Sequence, residues 1–381
     1  MLFGLDGIPL TLPKTGVGHY TAELARALAG AAPADTFELV YPSSEAPPEG
    51  APDPLPNLSP NLRTRRVEVG AVGRHWWALG LPRFTRRNAR YDLFHGTNFD
   101  VPLWPGRPTV LTVHDLSTLL HPETHTPRSV RRARRRLPLM TRVATLLITP
   151  SEAVRREVCE RLNCPAAKVF VVPEAARAVF RPASRAESAD VLARHGVSGD
   201  FLLAVGTVEP RKNLLTLLRA FESLFAEGRA RELRLVVAGG REGWLNRDFY
   251  AAVEESPVKA RVVFTGYVSD DVLSALYSSC RAFVYPSLYE GFGLPVLEAM
   301  ACGAPVVCGD TPALAETAGG AALLVAPRDA HRLARALLEI IDDEGAARRL
   351  SEAGRRDYFA PYRERQPEAV FGNSIYLYRE R

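Results

Sequence analysis

The sequence contains no apolar run near the ~20 residues that a membrane-spanning helix needs. Its five cysteines are an odd number and lack the spacing of a disulfide framework or a zinc site. None of its eight histidines falls in a metal-binding pattern such as H-E-x-x-H. The first nine residues have no basic flank and no cleavage-like site, so we expect no secretory signal. These absences predict a protein of the reducing cytoplasm.

Charge is divided unevenly along the 381 residues, which are too many for one ordinary core and predict two domains. Residues 1–182 hold 24 Lys and Arg against 16 Asp and Glu, a balance of +8. Residues 183–381 hold 24 against 27, a balance of −3. The basic first half predicts contact with phosphate, nucleic acid or an anionic membrane surface.

Short apolar runs alternate with helical patterns in both halves. Most runs are uniformly apolar, as expected for strands buried on both faces of a parallel sheet. The predicted strands are residues 2–6, 37–41, 92–95, 110–114, 146–149 and 169–172, then 201–205, 233–238, 262–264, 282–285, 305–308 and 322–325. Helical patterns include residues 18–28, 152–162, 214–225 and 329–341. The alternation predicts an α/β fold of two doubly wound domains.

The domain boundary is expected after Pro173, in the Ala-, Arg- and Ser-rich stretch 181–197. We predict a first domain at 1–182, a second at 183–355 and a C-terminal segment at 356–381. Residues 42–61 hold seven prolines and predict a long surface loop.

Residues 15–20, T-G-V-G-H-Y, follow the first strand and open a helix. Glycines such as Gly16 and Gly18 let the backbone approach a ligand closely, and a helix N-terminus offers N–H groups to an anion. The alternative is a glycine-rich turn that only starts the helix. The segment is not the dinucleotide fingerprint, because Thr21 stands where the third glycine would be.

Residues 205–213, V-G-T-V-E-P-R-K-N, again predict a strand, a turn and a helix, with Gly206 in the turn. Arg211 and Lys212 would lie at the carboxyl end of a parallel strand, where such folds bind ligands. Two solvated cations at a helix start would oppose its dipole. Phosphate binding explains both side chains better.

Residues 285–300, Y-P-S-L-Y-E-G-F-G-L-P-V-L-E-A-M, predict a buried strand, a flexible loop and a helix that begins near Pro295. The N–H groups of residues 291–294 would face any ligand in front of that helix. Glu290 on the loop and Glu298 one turn into the helix suit hydroxyl groups on two parts of one ligand. Composition alone leaves open that Glu298 is only an acid favoured by the helix dipole in the first turn and Glu290 only a loop charge.

The segment from Glu290 to Glu298 resembles the E-x7-E element of retaining GT-B glycosyltransferases of family 4. The resemblance extends over nearly the whole chain. Residues 15–20 are similar to the glycine loop of that family, 113–117 (V-H-D-L-S) to its histidine strand, 209–213 to its phosphate-binding turn and 262–269 to its base-binding strand and loop. It implies a GT-B fold of two Rossmann-like domains facing across a cleft, the first for the acceptor and the second for a nucleotide sugar.

The resemblance also implies residue roles. Catalytic roles would fall to His114, Arg211, Lys212 and Glu290, with the two cations neutralising the departing diphosphate and Glu290 contacting the transferred sugar. Nucleotide-sugar binding would fall to Gly16, Gly18, Gly206, Gly291, Phe292, Gly293, Leu294, Glu298, Tyr267 and Val268. Glu298 would bind the ribose hydroxyls, and the amides at residues 291–293 the sugar and phosphates.

His114 alone would more often be a satisfied core residue, but the resemblance places it near the sugar. His95, at the end of a neighbouring predicted strand, is a weaker candidate for the same cleft. The sequence has no D-x-D triplet, so we expect no metal and no cofactor, with two cations and a helix N-terminus in place of a metal. No carboxylate pair is placed for double displacement, and the resemblance implies front-face transfer in which the leaving phosphate helps to deprotonate the acceptor.

Two basic segments stand out in the first half. Residues 74–90 mix Trp76, Trp77 and Phe84 with arginines, and residues 128–142 contain seven arginines and no acid. Basic residues beside Trp, Phe and Leu are typical of interfacial membrane contact. The alternative is a solvated helix face with aromatics in the core. We predict peripheral contact with an anionic membrane at the inner face, and no nucleic-acid binding, since no such motif is present.

The sequence thus predicts a retaining hexosyltransferase that moves a sugar, mannose as first choice, from a donor such as GDP-mannose to a glycan or lipid-linked acceptor. A nucleotide-sugar epimerase, a phosphorylase and a non-catalytic nucleotide-sugar-binding protein are the alternatives. Residues 358–362, Y-F-A-P-Y, depart from a Trp-containing segment frequent in the family. The last segment is expected to cross back onto the first domain, as it usually does in this fold.

Overall fold

A computed structural model describes residues 1–11, 16–46, 59–70, 75–87, 91–103, 106–229, 231–240 and 243–357, with two short strands near the C-terminus. The chain divides into two compact units. Unit 1 comprises Met1–Leu116, Arg131–Ala175 and Gln366–Arg381, and unit 2 comprises Ser117–Val130 and Ala176–Arg365. The predicted domain ranges stay a prediction. The predicted C-terminal segment lies mostly outside the described residues, as does most of the predicted proline-rich loop. Residues 358–362, Thr15, Arg74 and Arg90 lie outside them as well.

Unit 1 contains a seven-stranded parallel sheet. Its strands are β1 Leu2–Asp6, β2 Thr36–Pro42, β3 Leu62–Val67, β4 Leu93–Gly96, β5 Thr109–Thr112, β6 Leu146–Thr149 and β7 Val169–Val171. They are ordered β3-β2-β1-β4-β5-β6-β7. The helices up to the end of β7 are α1 Gly16–Ala31, α2 Leu81–Arg87, α3 Ser117–Leu120, α4 Pro127–Val143 and α5 Glu152–Leu162. Of these, α3 and the first turn of α4 belong to unit 2. The carboxyl ends of these strands lie at one edge of the sheet.

Unit 2 contains a six-stranded parallel sheet. Its strands are β8 Phe201–Val205, β9 Arg234–Ala238, β10 Val262–Gly266, β11 Ala282–Tyr285, β12 Val306–Gly309 and β13 Leu323–Val325. They are ordered β10-β9-β8-β11-β12-β13, so β8 and β11 are neighbours. The helices are α6 Arg185–Arg194, α7 Leu214–Ala226, α8 Arg247–Glu255, α9 Asp270–Ser279, α10 Leu294–Ala301, α11 Pro312–Ala318, α12 Ala330–Asp342 and α13 Glu344–Asp357. The last two strands of the chain, Ala369–Phe371 and Ile375–Leu377, pair antiparallel.

The core of unit 2 follows from the apolar strands. Every residue of β11 is buried, and the two faces of the sheet carry separate clusters of buried side chains. Phe201 and Phe283 pack on one face with Tyr277 of α9, while Leu202 and Val284 pack on the other with Phe221 of α7. A strand that is apolar on both faces is the expected partner of helices on both sides.

The predicted α/β fold with two parallel sheets is confirmed, and each predicted strand lies within two residues of an observed one. Two elements differ from the prediction. The strand β3 was not predicted, because its sequence L-R-T-R-R-V is rich in arginine. The stretch expected to carry the boundary contains α6, which begins with a capping box at Ser184 and Glu187 and packs through Leu192 in the core of unit 2.

Candidate active site

Arg211, Lys212 and Glu290 form a buried ion cluster in unit 2. The Lys212 ammonium lies 2.7 Å from Oε1 of Glu290, and a terminal nitrogen of Arg211 lies 2.7 Å from its Oε2. The other terminal nitrogen of Arg211 lies 2.7 Å from Glu209. Lys212 also donates a hydrogen bond to the hydroxyl of Tyr285 and lies 4.7 Å from the centre of its ring. Both oxygens of Glu290 are therefore engaged by cations.

Local backbone geometry brings these side chains together. Arg211 and Lys212 occupy a 3-10 turn after β8, which ends at Asn213 in the left-handed conformation, and α7 begins only then. The side-chain amide of Asn213 donates to the carbonyl of Pro286, 3.0 Å away, and the amide of Leu288 donates to the carbonyl of Arg211 at 2.8 Å. The loop after β11 is thereby held against the turn after the neighbouring strand β8.

The charges of the cluster balance. Burial raises the pKa of the Glu290 carboxyl, but the Arg211 and Lys212 cations more than offset it and lower the pKa to about 2. Burial raises the pKa of Glu209 above its ordinary value, against the attraction of both cations. Burial lowers the pKa of Lys212, an effect that the charge of Glu290 opposes. Buried ion clusters add little stability over apolar packing, so their presence at the carboxyl edge of a sheet indicates a functional site.

The helix α10 begins at Leu294, four residues after Glu290 in the chain. Its N-cap is Gly293, whose φ of +106° a side chain would strain. A Cβ there would also lie 2.5 Å from the side chain of Leu314. The loop before it is buried, with Gly291 and Gly293 largely inaccessible and Phe292 and Leu294 half-buried. The start of α10 therefore has one tightly fixed conformation.

Glu298 lies in α10, half-buried, with its carboxylate accepting a hydrogen bond from the hydroxyl of Tyr277 at 3.1 Å. Burial raises its pKa to about 7, while the charge of Arg177 and the Tyr277 hydrogen bond oppose the rise. Arg177 itself is paired with Asp270. Glu298 is thus a carboxyl that changes charge near neutral pH.

His114 lies in unit 1, two residues after β5. Its Nε2 is 2.8 Å from the carbonyl oxygen of Thr97, and its Nδ1 is 3.3 Å from Oε1 of Glu174. The rings of Tyr20 and Phe99 stand edge-on to it, with centres 4.8 and 5.9 Å away. Burial lowers the pKa of His114, but Glu174, the Thr97 carbonyl and Asp115 raise it by more, so the net shift is upward.

His95, the weaker candidate, is buried beside this site and paired with the hydroxyl of Thr112 at 2.8 Å. Burial, with a smaller contribution from the charge of His114, lowers the pKa of His95 to about 3. The hydroxyl of Tyr20 also contacts Thr112, at 3.0 Å. His95 is a neutral side chain of a satisfied polar network.

The remaining predicted residues lie in several places. Gly16 and Gly18 form the first turn of α1, where Gly18 is buried. Gly206 follows β8 with a φ of +135°, and a Cβ there would lie 3.4 Å from the Lys212 side chain. Tyr267 is highly exposed, whereas Val268 packs against the core of unit 2. The structure brings together Gly206, Arg211, Lys212 and Glu290, with α10 next along the chain.

The two basic segments differ from each other. Trp76 and Trp77 are buried in a short π-helix and pack with Phe94, so these aromatics belong to the core, the alternative left open above. In α4, six of the seven arginines are exposed, and the half-buried Arg136 is paired with Asp100. Leu139 is 42% exposed on the same helix. Within the described ranges, no helix combines the length and apolarity that crossing a bilayer requires.

Several side chains that contact the predicted residues have no role predicted from the sequence. Glu209 and Tyr285 contact the two cations, Tyr277 contacts Glu298, and Glu174 contacts His114. A signal for Glu174 was present, since it follows β7 and parallel strands end at one edge of a sheet. The buried Tyr277 gave no signal, because an aromatic residue in a helix usually belongs to the core.

Known proteins match both halves of the chain. The family described as "Glycosyl transferases group 1" matches residues 194–357, and the family described as "Glycosyltransferase Family 4" matches residues 14–176. O-antigen chain mannosyltransferase B of Escherichia coli is 33% identical over 350 residues, 88% of this chain and 89% of that protein. The chain belongs to the glycosyltransferases.

A second relative and two solved structures are also similar to this glycosyltransferase. O-antigen chain mannosyltransferase RfbU of Salmonella typhimurium is 26% identical over 73% of this chain and 72% of that protein. Among solved structures, sucrose-phosphate synthase of Thermosynechococcus elongatus has a TM-score of 0.76 at 24% identity, covering 94% of both chains. Anabaena HepE, solved in complex with UDP-glucose, has a TM-score of 0.71 at 18% identity, covering 94% of this chain and 95% of that one. The fold is GT-B.

Proposed function

We propose that this glycosyltransferase moves a mannosyl residue, with retention of configuration and without a metal, from GDP-mannose to a glycan or lipid-linked acceptor. The observation that carries the proposal is the Arg211–Lys212–Glu290 cluster at the carboxyl ends of β8 and β11, in a chain 33% identical to an O-antigen mannosyltransferase. The name of the second relative supports the same donor sugar.

The two cations suit the leaving group. Breaking the bond between a sugar and a diphosphate leaves negative charge on the diphosphate, and preorganised cations and amides stabilise such charge best. Arg211 and Lys212 are held in place by Glu209, Glu290 and Tyr285, so they need little rearrangement. The amides that begin α10 add partial positive charge. This combination replaces the divalent ion in the proposed reaction.

Glu290 suits hydrogen bonding to the sugar better than nucleophilic attack. Its pKa of about 2 keeps it ionised, and both of its oxygens are bound by cations. Such a carboxylate accepts hydroxyl hydrogens well but is a weak nucleophile. Transfer from the front face, with the leaving phosphate taking the proton of the acceptor hydroxyl, is the retaining route consistent with this arrangement. Glu298 would accept hydrogen bonds from the ribose.

The acceptor side belongs to unit 1 in this proposal. The exposed arginines of α4 face solvent and supply the charge for contact with anionic lipid. A peripheral position at the cytoplasmic face of the membrane would bring the protein to a lipid-linked acceptor. The burial of Trp76 and Trp77 leaves the arginines, with Leu139, as the contact surface of this proposal.

A transfer assay tests the proposal. The purified chain is incubated with GDP-mannose and octyl α-mannoside in EDTA, and the anomeric configuration of the product is read by NMR. We expect an α-linked product, loss of turnover in Lys212→Ala and full turnover in Lys259→Ala, an exposed lysine outside the site. Free altered sugar would indicate an epimerase, and turnover with phosphate alone a phosphorylase. Transfer from UDP-glucose but not from GDP-mannose would contradict the donor.

A further inference from the structure

Both ring nitrogens of His114 face groups that only accept hydrogen bonds. Nε2 lies 2.8 Å from the carbonyl oxygen of Thr97, and Nδ1 lies 3.3 Å from the carboxylate of Glu174. A carbonyl oxygen and an ionised carboxylate have no hydrogen to give. Each nitrogen therefore carries its own hydrogen for both contacts to be made, and the ring is then an imidazolium.

The groups that hold the ring are themselves fixed. The hydroxyl of Thr97 donates to the carbonyl of Asp6 at 3.1 Å and accepts from Thr21 at 3.0 Å. Glu174 follows β7, and its side chain is 12% exposed, like the 11% of His114. The rings of Tyr20 and Phe99 close two further sides. His114 thus has a single orientation with little access to water.

The charges around the ring favour the same state. Glu174 and Asp115 are the acids that raise the pKa of His114, and burial opposes them. His95 adds no competing charge, because its own pKa is about 3. Burial raises the pKa of Tyr20, so its phenol stays neutral. One imidazolium ring therefore stands among neutral neighbours and two carboxylates.

We propose that Glu174 is a positioning residue which, with the carbonyl oxygen of Thr97, holds His114 by both ring nitrogens, so that His114 meets the substrate as a fixed cation and not as a proton acceptor. This step rests on the proposed function, in which the leaving phosphate takes the proton of the acceptor hydroxyl. A ring with both hydrogens committed has no lone pair with which to take the proton of an acceptor hydroxyl. The proton therefore passes to the leaving phosphate.

NMR of the histidine rings tests this without turnover. The eight histidines are labelled with ¹³C and ¹⁵N, and the His114 signal is identified by its loss in His114→Gln. In the wild type we expect both ring nitrogens protonated and a midpoint above the ordinary value of 6.5. In Glu174→Gln the midpoint should fall by about 1–3 pH units, the usual effect of losing an adjacent opposite charge. Glu174→Asp, which keeps the charge, should restore most of the shift.

A matched control exists in unit 2, where His121 lies 3.4 Å from the exposed Glu123. Glu123→Gln should leave the His114 midpoint unchanged. The proposal is overturned if Glu174→Gln leaves that midpoint in place, or if the midpoint of wild-type His114 lies below the ordinary value of 6.5. If Glu174→Gln does not fold, Glu174→Asp alone decides. A fall of the His114 midpoint by about 1–3 pH units in that variant, which keeps the charge, would also overturn the proposal.

Activity separates this proposal from the proposed function. As pH rises through the His114 pKa, the ring loses one hydrogen and the imidazolium is lost, so wild-type kcat should fall there. In Glu174→Gln this fall in kcat should come at lower pH. The KM for GDP-mannose should change little. A shifted NMR midpoint without any mannosyl transfer would leave the clamp standing and reject the proposed reaction. Mannosyl transfer with an unshifted midpoint would do the reverse.

Discussion

Lys212 and Glu290 are 78 residues apart in the chain, yet the ammonium of one lies 2.7 Å from a carboxylate oxygen of the other. The pair joins the loops after two neighbouring parallel strands, β8 and β11. It is buried and shared with Arg211, so neither partner can be lost without leaving charge uncompensated in the interior. Both the stability and the proposed chemistry of unit 2 depend on this contact.

Loss of Lys212 should slow catalysis far more than it weakens donor binding. Lys212→Ala removes one of the two cations proposed to stabilise the leaving diphosphate, and we expect kcat to fall by about 10²–10³. Steady-state kinetics with GDP-mannose measures this. Lys259→Ala is the control, and circular dichroism shows whether each variant is folded. A Lys212→Ala enzyme with unchanged kcat contradicts the assigned role.

The stability of the cluster should be strongly coupled. Removing one partner of a buried pair typically costs about 3–5 kcal/mol, because it leaves the other charge unpaired. We expect Lys212→Met and Glu290→Gln each to lower the free energy of unfolding, and the double variant to lose less than the sum. Urea denaturation gives the three values. Additive losses would show that the two side chains do not interact in solution.

Glu298 should make donor affinity depend on pH. Its pKa of about 7 means that it gains charge as pH rises through neutrality, and the charged form accepts stronger hydrogen bonds from ribose hydroxyls. GDP affinity, measured by calorimetry, should rise over that range. Glu298→Gln should abolish the change, and Tyr277→Phe, which removes a hydrogen bond to the ionised form, should move it to higher pH. A flat profile in the wild type would argue against ribose binding by Glu298.

The Glu298 carboxyl also makes the free energy of unfolding depend on pH. Its pKa in the folded state is raised from the ordinary value of 4.5 to about 7. The folded protein therefore binds this proton more tightly than the unfolded chain. The contribution is fully present below pH 4.5 and is lost as pH rises through 7. Thermal unfolding of Glu298→Gln should lack this component of the pH dependence.

Gly293→Ala should weaken donor binding. The substitution strains a φ of +106° and places a Cβ 2.5 Å from Leu314, so the start of α10 must move. We expect a lower Tm and a higher KM for the donor. Gly319→Ala is the matched control, because Gly319 also has a positive φ but its Cβ would meet open space. Gly319→Ala should have a lower Tm and an unchanged KM. Equal KM values in both variants would show that the N-terminus of α10 does not bind the donor.

Binding to anionic vesicles should depend on α4. Substituting Arg131, Arg134 and Arg135 by alanine should weaken sedimentation with phosphatidylglycerol vesicles, by about 1 kcal/mol per arginine. Alanine at Arg348, Arg349 and Arg356 of α13, another helix with exposed arginines, should change little. Added salt should weaken wild-type binding. Vesicle binding that is unaffected by the α4 substitutions would contradict the predicted membrane surface.

The buried strands were predictable because a sheet covered on both faces selects uniformly apolar runs. The strand β3 was not predictable, for a physical reason. Its Arg63 and Arg65 neutralise Glu38, a fully buried acid on the adjacent strand β2, and Tyr91 donates a further hydrogen bond to it. The spacing of apolar residues and the hydropathy of a segment do not reveal a strand whose position in the sheet depends on ion pairs with the neighbouring strand.

The sequence predicts candidate site residues where their chemistry is local, but it does not predict contacts that depend on the fold. Arg211 and Lys212 stand in one turn, so the sequence alone predicts that the two cations lie side by side. Their neutralisation by Glu290 requires knowing that β8 and β11 are neighbours. The two contacts of His114, to Thr97 and Glu174, likewise join three strand ends that only the strand order brings together.

A thermal-shift panel with GDP, UDP, ADP, dTDP and phosphate, run on the wild type and on Lys212→Ala, tests the central claim most directly. A nucleotide at a hundredfold excess over its Kd adds about 2.7 kcal/mol to stability, a readily measured rise in Tm. We predict that GDP stands clear of the others in the wild type and that its effect shrinks in Lys212→Ala. Stabilisation by phosphate alone, or by no nucleotide, would contradict the account.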